Sequence, residues 1–162
     1  MRIFLHLAFA VALFAAGVAS ESRSSDLLQV TSDGWYSWHI AGTEDLEIHA
    51  LIESGRPSEF YIPHLHCSRR NVPTPTDLGT IDAADSIAWL RRFIRPRTPA
   101  TTGAIAAIAV HPGADAVRVL QDVVRSDANW DTRKEAVFWL GQSDNDAAFA
   151  FLDALLMDDR AR

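Results

Sequence analysis

Ala104-Ile105-Ala106-Ala107-Ile108 and Ala136-Val137-Phe138-Trp139-Leu140 stand 32 positions apart and carry a closely similar apolar pattern. The match runs on. Ala116, Leu120, Val123, Val124 and Asp127 are answered at the same offset by Ala148, Leu152, Leu155, Leu156 and Asp159. Within each copy the apolar residues recur at three- and four-residue spacing, break at a joint, and resume, which predicts a helix, a turn and a second helix. The joints are His111-Pro112-Gly113 and Gln142-Ser143-Asp144-Asn145. A repeated helix pair of this length implies an α-solenoid, in which each unit buries its apolar face only against its neighbours. Such surfaces bind proteins, so the expected partner is a protein, of unspecified identity.

Upstream the period changes from helical to two. Trp35-Tyr36-Ser37-Trp38-His39-Ile40 is aromatic and suits a strand. Leu46, Ile48, Ala50 and Ile52 alternate with Glu47, His49 and Leu51, giving a second strand with an apolar face. Ser54-Gly55-Arg56-Pro57 is turn chemistry, and Glu59-Phe60-Tyr61-Ile62 restarts the β pattern. Pro63 places that third strand at an edge or a bulge. Asn71 to Gly79, with Pro73, Pro75 and Gly79, reads as a loop. A helix with the stripe Ile87, Leu90, Phe93 and Ile94 follows, capped by Asp82 or Asp85 and ended by Pro96 and Pro99. Thr101 or Thr102 is expected to open the next helix. Thr132-Arg133-Lys134-Glu135 fits a capping box for the second copy.

The run Glu135 to Gln142, preceded by Arg133, is similar to the second helix of HEAT-like repeats in exported bacterial proteins, and Ala116 to Asp127 resembles a first helix. A segment from Cys67 through Asp77-Leu78-Gly79 to Asp85-Ser86-Ile87-Ala88-Trp89-Leu90 resembles the join between a Trp-containing β part and such repeats. The resemblance implies a binding scaffold without shared catalytic residues. The expected architecture is therefore α+β: a small antiparallel β segment followed by α-solenoid, HEAT-like helix pairs. Its parts are a signal peptide at 1–20, a flexible lead-in at 21–33, a β-rich segment and loop at 34–80, and repeats at 81–162.

The signal peptide rests on Met1-Arg2, the almost wholly apolar Ile3 to Val18, and small residues near Ala19-Ser20. It implies a secreted or periplasmic bacterial protein with no stable membrane span after cleavage. The formal net charge of −6 offers no electrostatic case for nucleic acid. A single cysteine, Cys67, cannot form an internal disulfide; it is buried, free, or paired to another chain.

The His64-Leu65-His66-Cys67 run, with His49 on the neighbouring strand, is the one candidate metal cluster, suited to Zn or Cu. A metal-binding or metal-sensing module on the hairpin is the rival reading. The spacing matches no structural zinc motif, and half-buried histidines on an edge strand explain the same residues more simply. No phosphate loop, dinucleotide fingerprint, nucleophile elbow or His-Glu-x-x-His helix is present, so neither cofactor nor enzyme is expected. The protein-binding candidates are Trp130, Arg133, Leu152, Leu155 and Leu156. The last three extend an apolar stripe almost to the end of the chain with no polar capping helix. That leaves three readings: self-association through the last helix, cover by a partner, or a piece of a longer repeat array.

Overall fold

The computed structural model describes residues 27, 29–65, 72–94, 98–126 and 129–160. The signal peptide, His66 and Cys67 lie outside them. Four strands come first: β1 (Gly34–Ile40), β2 (Glu47–Glu53), β3 (Arg56–Tyr61) and β4 (Thr76–Ile81). Five helices follow: α1 (Ala83–Arg91), α2 (Pro99–Ala109), α3 (Ala114–Arg125), α4 (Trp130–Gln142) and α5 (Asp146–Arg160). The chain is α+β, as its patterning predicts, but two finer expectations are overturned.

The sheet is mixed, not antiparallel. Its order is β3-β2-β1-β4, with β1-β2-β3 an antiparallel meander and β4 parallel to β1. β3 lies at the sheet edge, where Pro57 within it and Pro63 just after it are tolerated. β4 occupies residues expected to be a loop. Gly79 has φ +77°, and the Asp77 carboxylate accepts its N–H at 2.7 Å, so a local turn is folded into the strand. The register shifts there: Ser37 pairs with Asp77 and His39 with Thr80, so Leu78 and Gly79 stand against Trp38 alone. A Gly and an Asx turn are loop signals in sequence; here they build a bulge.

The helices do not form a solenoid. A solenoid helix keeps one face for its neighbour and another for solvent. α2 instead buries five consecutive residues, Ala104 to Ile108, which cover its whole circumference. It packs against β3 on one side and against α1, α3 and α4 elsewhere, so it is the central post of the molecule. Ile105 and Ile108 are fully enclosed, each contributing about 1.5–3 kcal/mol relative to an exposed position. Gly103 permits the close approach to the sheet: a Cβ there would sit 3.0 Å from Phe60 Cβ and 3.3 Å from its backbone N and O.

The 32-residue repeat survives as two helix hairpins, α2–α3 and α4–α5, in unequal surroundings. Ile105 is fully buried, while its counterpart Val137 is 37 % exposed; Val124 is half-buried, while Leu156 is 60 % exposed. α4 buries only Thr132, Ala136 and Leu140, a single stripe at four-residue spacing.

The core joins the sheet's apolar face to the helices. Trp38, Ile40, Ile48, Ile52, Phe60 and Ile81 meet Ile87, Trp89 and Leu90 from α1. Trp89 stands edge-on to Trp38 at 5.5 Å, to Phe60 at 5.9 Å and to Phe93 at 4.8 Å. Leu27, within the stretch read as a flexible lead-in, is also buried in this core.

One helix start falls where it was expected and two do not. Asp82 caps α1, accepting from Ala84 N at 2.8 Å. α2 begins at Pro99, which has no N–H to leave unsatisfied in a first turn, and not at Thr101 or Thr102. α4 is capped by Asn129, whose side chain accepts from Thr132 N at 2.9 Å. Thr132 is therefore a buried first-turn residue, and Glu135 accepts the Trp139 indole N–H at 2.8 Å instead of closing a capping box.

Candidate functional site

A buried polar chain ties three elements together. Trp38 Nε1 on β1 donates to Ser86 Oγ on α1 at 2.9 Å. Ser86 Oγ lies 2.9 Å from His111 Nε2, just after α2, and His111 Nδ1 lies 2.7 Å from the Ala107 carbonyl oxygen. The carbonyl only accepts, so Nδ1 carries the proton, Nε2 is the acceptor, and the Ser86 hydroxyl donates to it. Every group is satisfied with a neutral imidazole. A Ser–His hydrogen bond is also the starting geometry of nucleophilic catalysis. Here Ser86 is 0 % and His111 5 % exposed, so the pair is a structural tie with no room for a substrate.

Burial pushes the His111 pKa below its ordinary 6.5, against smaller opposing contributions from hydrogen bonds with the Ala107 and Ile108 backbone. The imidazolium would lose the acceptor that Ser86 uses. Between the lowered folded value and 6.5, the unfolded chain binds a proton that the folded chain refuses. The contribution of His111 to stability is therefore complete above pH 6.5 and is lost as pH falls through the folded value. Thermal melts from pH 7.5 to 5 are expected to show a fall in Tm that is shallower in His111→Gln. Parallel pH profiles for the two proteins would refute this assignment.

Of the proposed metal residues, His49 and His64 are described, and their surroundings differ. His49 on β2 is 8 % exposed and stands edge-on to its cross-strand neighbour Tyr61 at 5.8 Å. Glu47 Oε1 is 3.0 Å from His49 Nε2 but off the direction of a hydrogen bond, so both ring nitrogens lack a hydrogen-bond partner among the described residues. His64, in the 3-10 turn Pro63–Leu65, donates Nε2–H to the Asp45 carbonyl. Among the described residues no three His, Cys, Asp or Glu side chains converge to hold an ion.

The exposed apolar side chains are the more informative feature. Seven large hydrophobic residues are exposed among the described residues, and six of them lie on α4 and α5: Trp130, Val137, Phe138, Phe149, Leu156 and Met157. Scattered apolar exposure is ordinary, but its concentration on one helix hairpin is not. Val137 and Phe138 fall off the buried Thr132-Ala136-Leu140 stripe, so the helix itself turns them outward. Gly141 faces Leu152 across the hairpin, which sets Val137 and Leu156 at the same level one turn away.

Of the residues predicted to bind protein, Trp130 is 67 % and Leu156 60 % exposed. Leu152 and Leu155 are half-buried against the core. Arg133 holds its guanidinium 5.5 Å from the centre of the Trp130 ring, a cation–π contact that orients the indole. Phe138, Phe149 and Met157 were not predicted. Their signal was present in apolar runs that cannot all face one side of a helix: Ala136 to Leu140, Ala147 to Leu152 and Ala154 to Met157. α5 also carries the exposed carboxylates of Asp146, Asp153 and Asp158, and Asp153, four residues from both Phe149 and Met157, stands among the apolar side chains.

No helix among the described residues is long and apolar enough to cross a membrane. No family model matches the chain, and no curated protein or solved structure matches it either, so its chemistry is read from these residues alone.

Proposed function

We propose that this chain is a non-catalytic, exported protein-binding module whose docking surface is the outer face of the α4–α5 hairpin. The observation that carries the reading is the gathering of six of the seven exposed large hydrophobics on that hairpin. Trp130 and Phe138 supply aromatic anchors, the type of side chain that dominates protein interfaces. Leu156 and Met157 supply adaptable apolar area. The exposed Asp146, Asp153 and Asp158 on the same helix select the partner: a protein offering apolar side chains together with Lys or Arg, such as a basic amphipathic helix. The sealed Ser86–His111 pair supports binding over turnover. The apolar leader at the start of the sequence supports a site of action beyond the cytoplasm.

A basic amphipathic helical peptide is expected to quench or shift tryptophan fluorescence saturably, while a scrambled peptide of the same composition does not. Phe138→Asp and Leu156→Asp alter exposed positions, so each should leave folding stability within about 0.5 kcal/mol. Each should weaken peptide binding by about 30-fold or more, which is roughly 2 kcal/mol. Equal binding of the two peptides, or undiminished binding by both variants, would reject the proposal. A concentration-dependent dimer dispersed by the same substitutions would assign the surface to a second copy of the chain instead.

A further inference from the structure

A cavity of about 460 Å³ opens where the β2–β3 turn meets α1 and the start of α2. Its apolar lining includes Leu27, Val30, Trp89 and Phe93, with the two rings in edge-to-face contact at 4.8 Å. The volume lies within the range of small-molecule sites. Its charge is the unexpected part. The protein carries a formal net charge of −6, yet among the described residues the two charged side chains lining this cavity are Arg56 and Arg92, with no carboxylate beside them in the lining. The Arg56 side chain makes no ion pair among the described residues. A guanidinium presents a planar fork of donors that matches a carboxylate, and an aromatic and aliphatic wall takes an apolar body.

We infer that this cavity is a binding site for an apolar monocarboxylate, with the carboxylate on Arg56 and Arg92 and the hydrocarbon against Trp89, Phe93 and Leu27. The site is independent of the docking surface on α4 and α5. Guanidinium groups reward the negative head, whereas a neutral ligand of the same shape would gain only the apolar contact. Affinity should therefore depend on the ligand's charge and fall with added salt.

Calorimetric titration of the full chain with decanoate and with decanol tests the inference. Decanoate is expected to bind saturably at one site, about tenfold or more tightly than decanol, consistent with a charge-assisted hydrogen bond. Arg56→Gln changes an exposed side chain and should weaken decanoate about tenfold without altering decanol binding. Arg92→Gln should act in the same direction, and circular dichroism confirms that each variant is folded. Two results would overturn the site: decanoate and decanol binding alike, or decanoate binding unchanged in both arginine variants. Absence of saturable decanoate binding would overturn it as well.

Discussion

Trp38→Ala is expected to remove a large share of the protein's stability. The indole is 0 % exposed, sits edge-on to Trp89 at 5.5 Å, and donates its N–H to Ser86 at 2.9 Å. Truncating a buried Trp costs about 3–5 kcal/mol, and removing a partner from a buried polar chain costs about 1 kcal/mol more. A domain of this size has about 5–15 kcal/mol in all. The expected fall in Tm is roughly 10–25 °C, with partial unfolding at 37 °C for a protein at the low end of that range. Trp38→Phe separates the two causes, because it keeps most of the ring contact and loses only the donor. It should cost about 1–2 kcal/mol. Urea unfolding of the three proteins gives the comparison; a Trp38→Ala loss below 1 kcal/mol would mean that the sheet and α1 do not meet as described.

Two helical glycines should respond to substitution with opposite signs. A side chain at Gly103 would meet the Phe60 Cβ and backbone at 3.0 to 3.3 Å, where neither α2 nor β3 can yield without opening the central interface. Gly103→Val is expected to destabilise by about 2–3 kcal/mol, since overpacking outweighs the small gain in helix propensity. At Gly141 an added Cβ would meet only Leu152 Cδ1, at an ordinary 3.9 Å. Gly141→Ala should therefore stabilise by about 0.5–1 kcal/mol through propensity and a less flexible unfolded chain. Denaturation midpoints measured side by side decide the matter. A stabilising Gly103→Val would remove α2 from the sheet and restore a helix with a free face.

The contrast between these glycines also shows why periodicity located the helices but misplaced their relation. Ala104 to Ile108 and Ala136 to Leu140 are both apolar in every position, so each reads as a helix in a repeat. Apolar continuity does not say whether a helix is enclosed or left with apolar residues in water. In α2 the small residues Gly103, Ala104 and Ala107 allow neighbours to close on all sides; in α4 the bulky Val137 and Phe138 stand outward. The repeat was legible because it is local. The central position of α2 depends on contact with β3, about forty residues earlier, which spacing alone does not encode.

The same distinction governs the strands and the sites. β1, β2 and β3 were legible through alternation and aromatic content, whereas β4 was hidden by Pro73, Pro75 and Gly79 and by an Asx turn inside the strand. His111 was read only as part of a joint, because Ser86, which bonds it, and Trp38, which bonds Ser86, are 25 and 73 residues away. Trp130 and Leu156 were accessible to sequence reasoning as aromatic and aliphatic residues at helix edges. The cavity with Arg56 and Arg92 was not, since its lining comes from four separate stretches of chain.

Backbone amide NMR of the labelled protein during titration with the basic amphipathic peptide tests the docking surface most directly. Shift changes are expected to follow one binding curve and to cluster at Trp130, Phe138, Phe149 and Leu156, with Trp38 and Ile105 in the core unmoved. Changes centred on the sheet, or changes reproduced by the scrambled peptide, would contradict it.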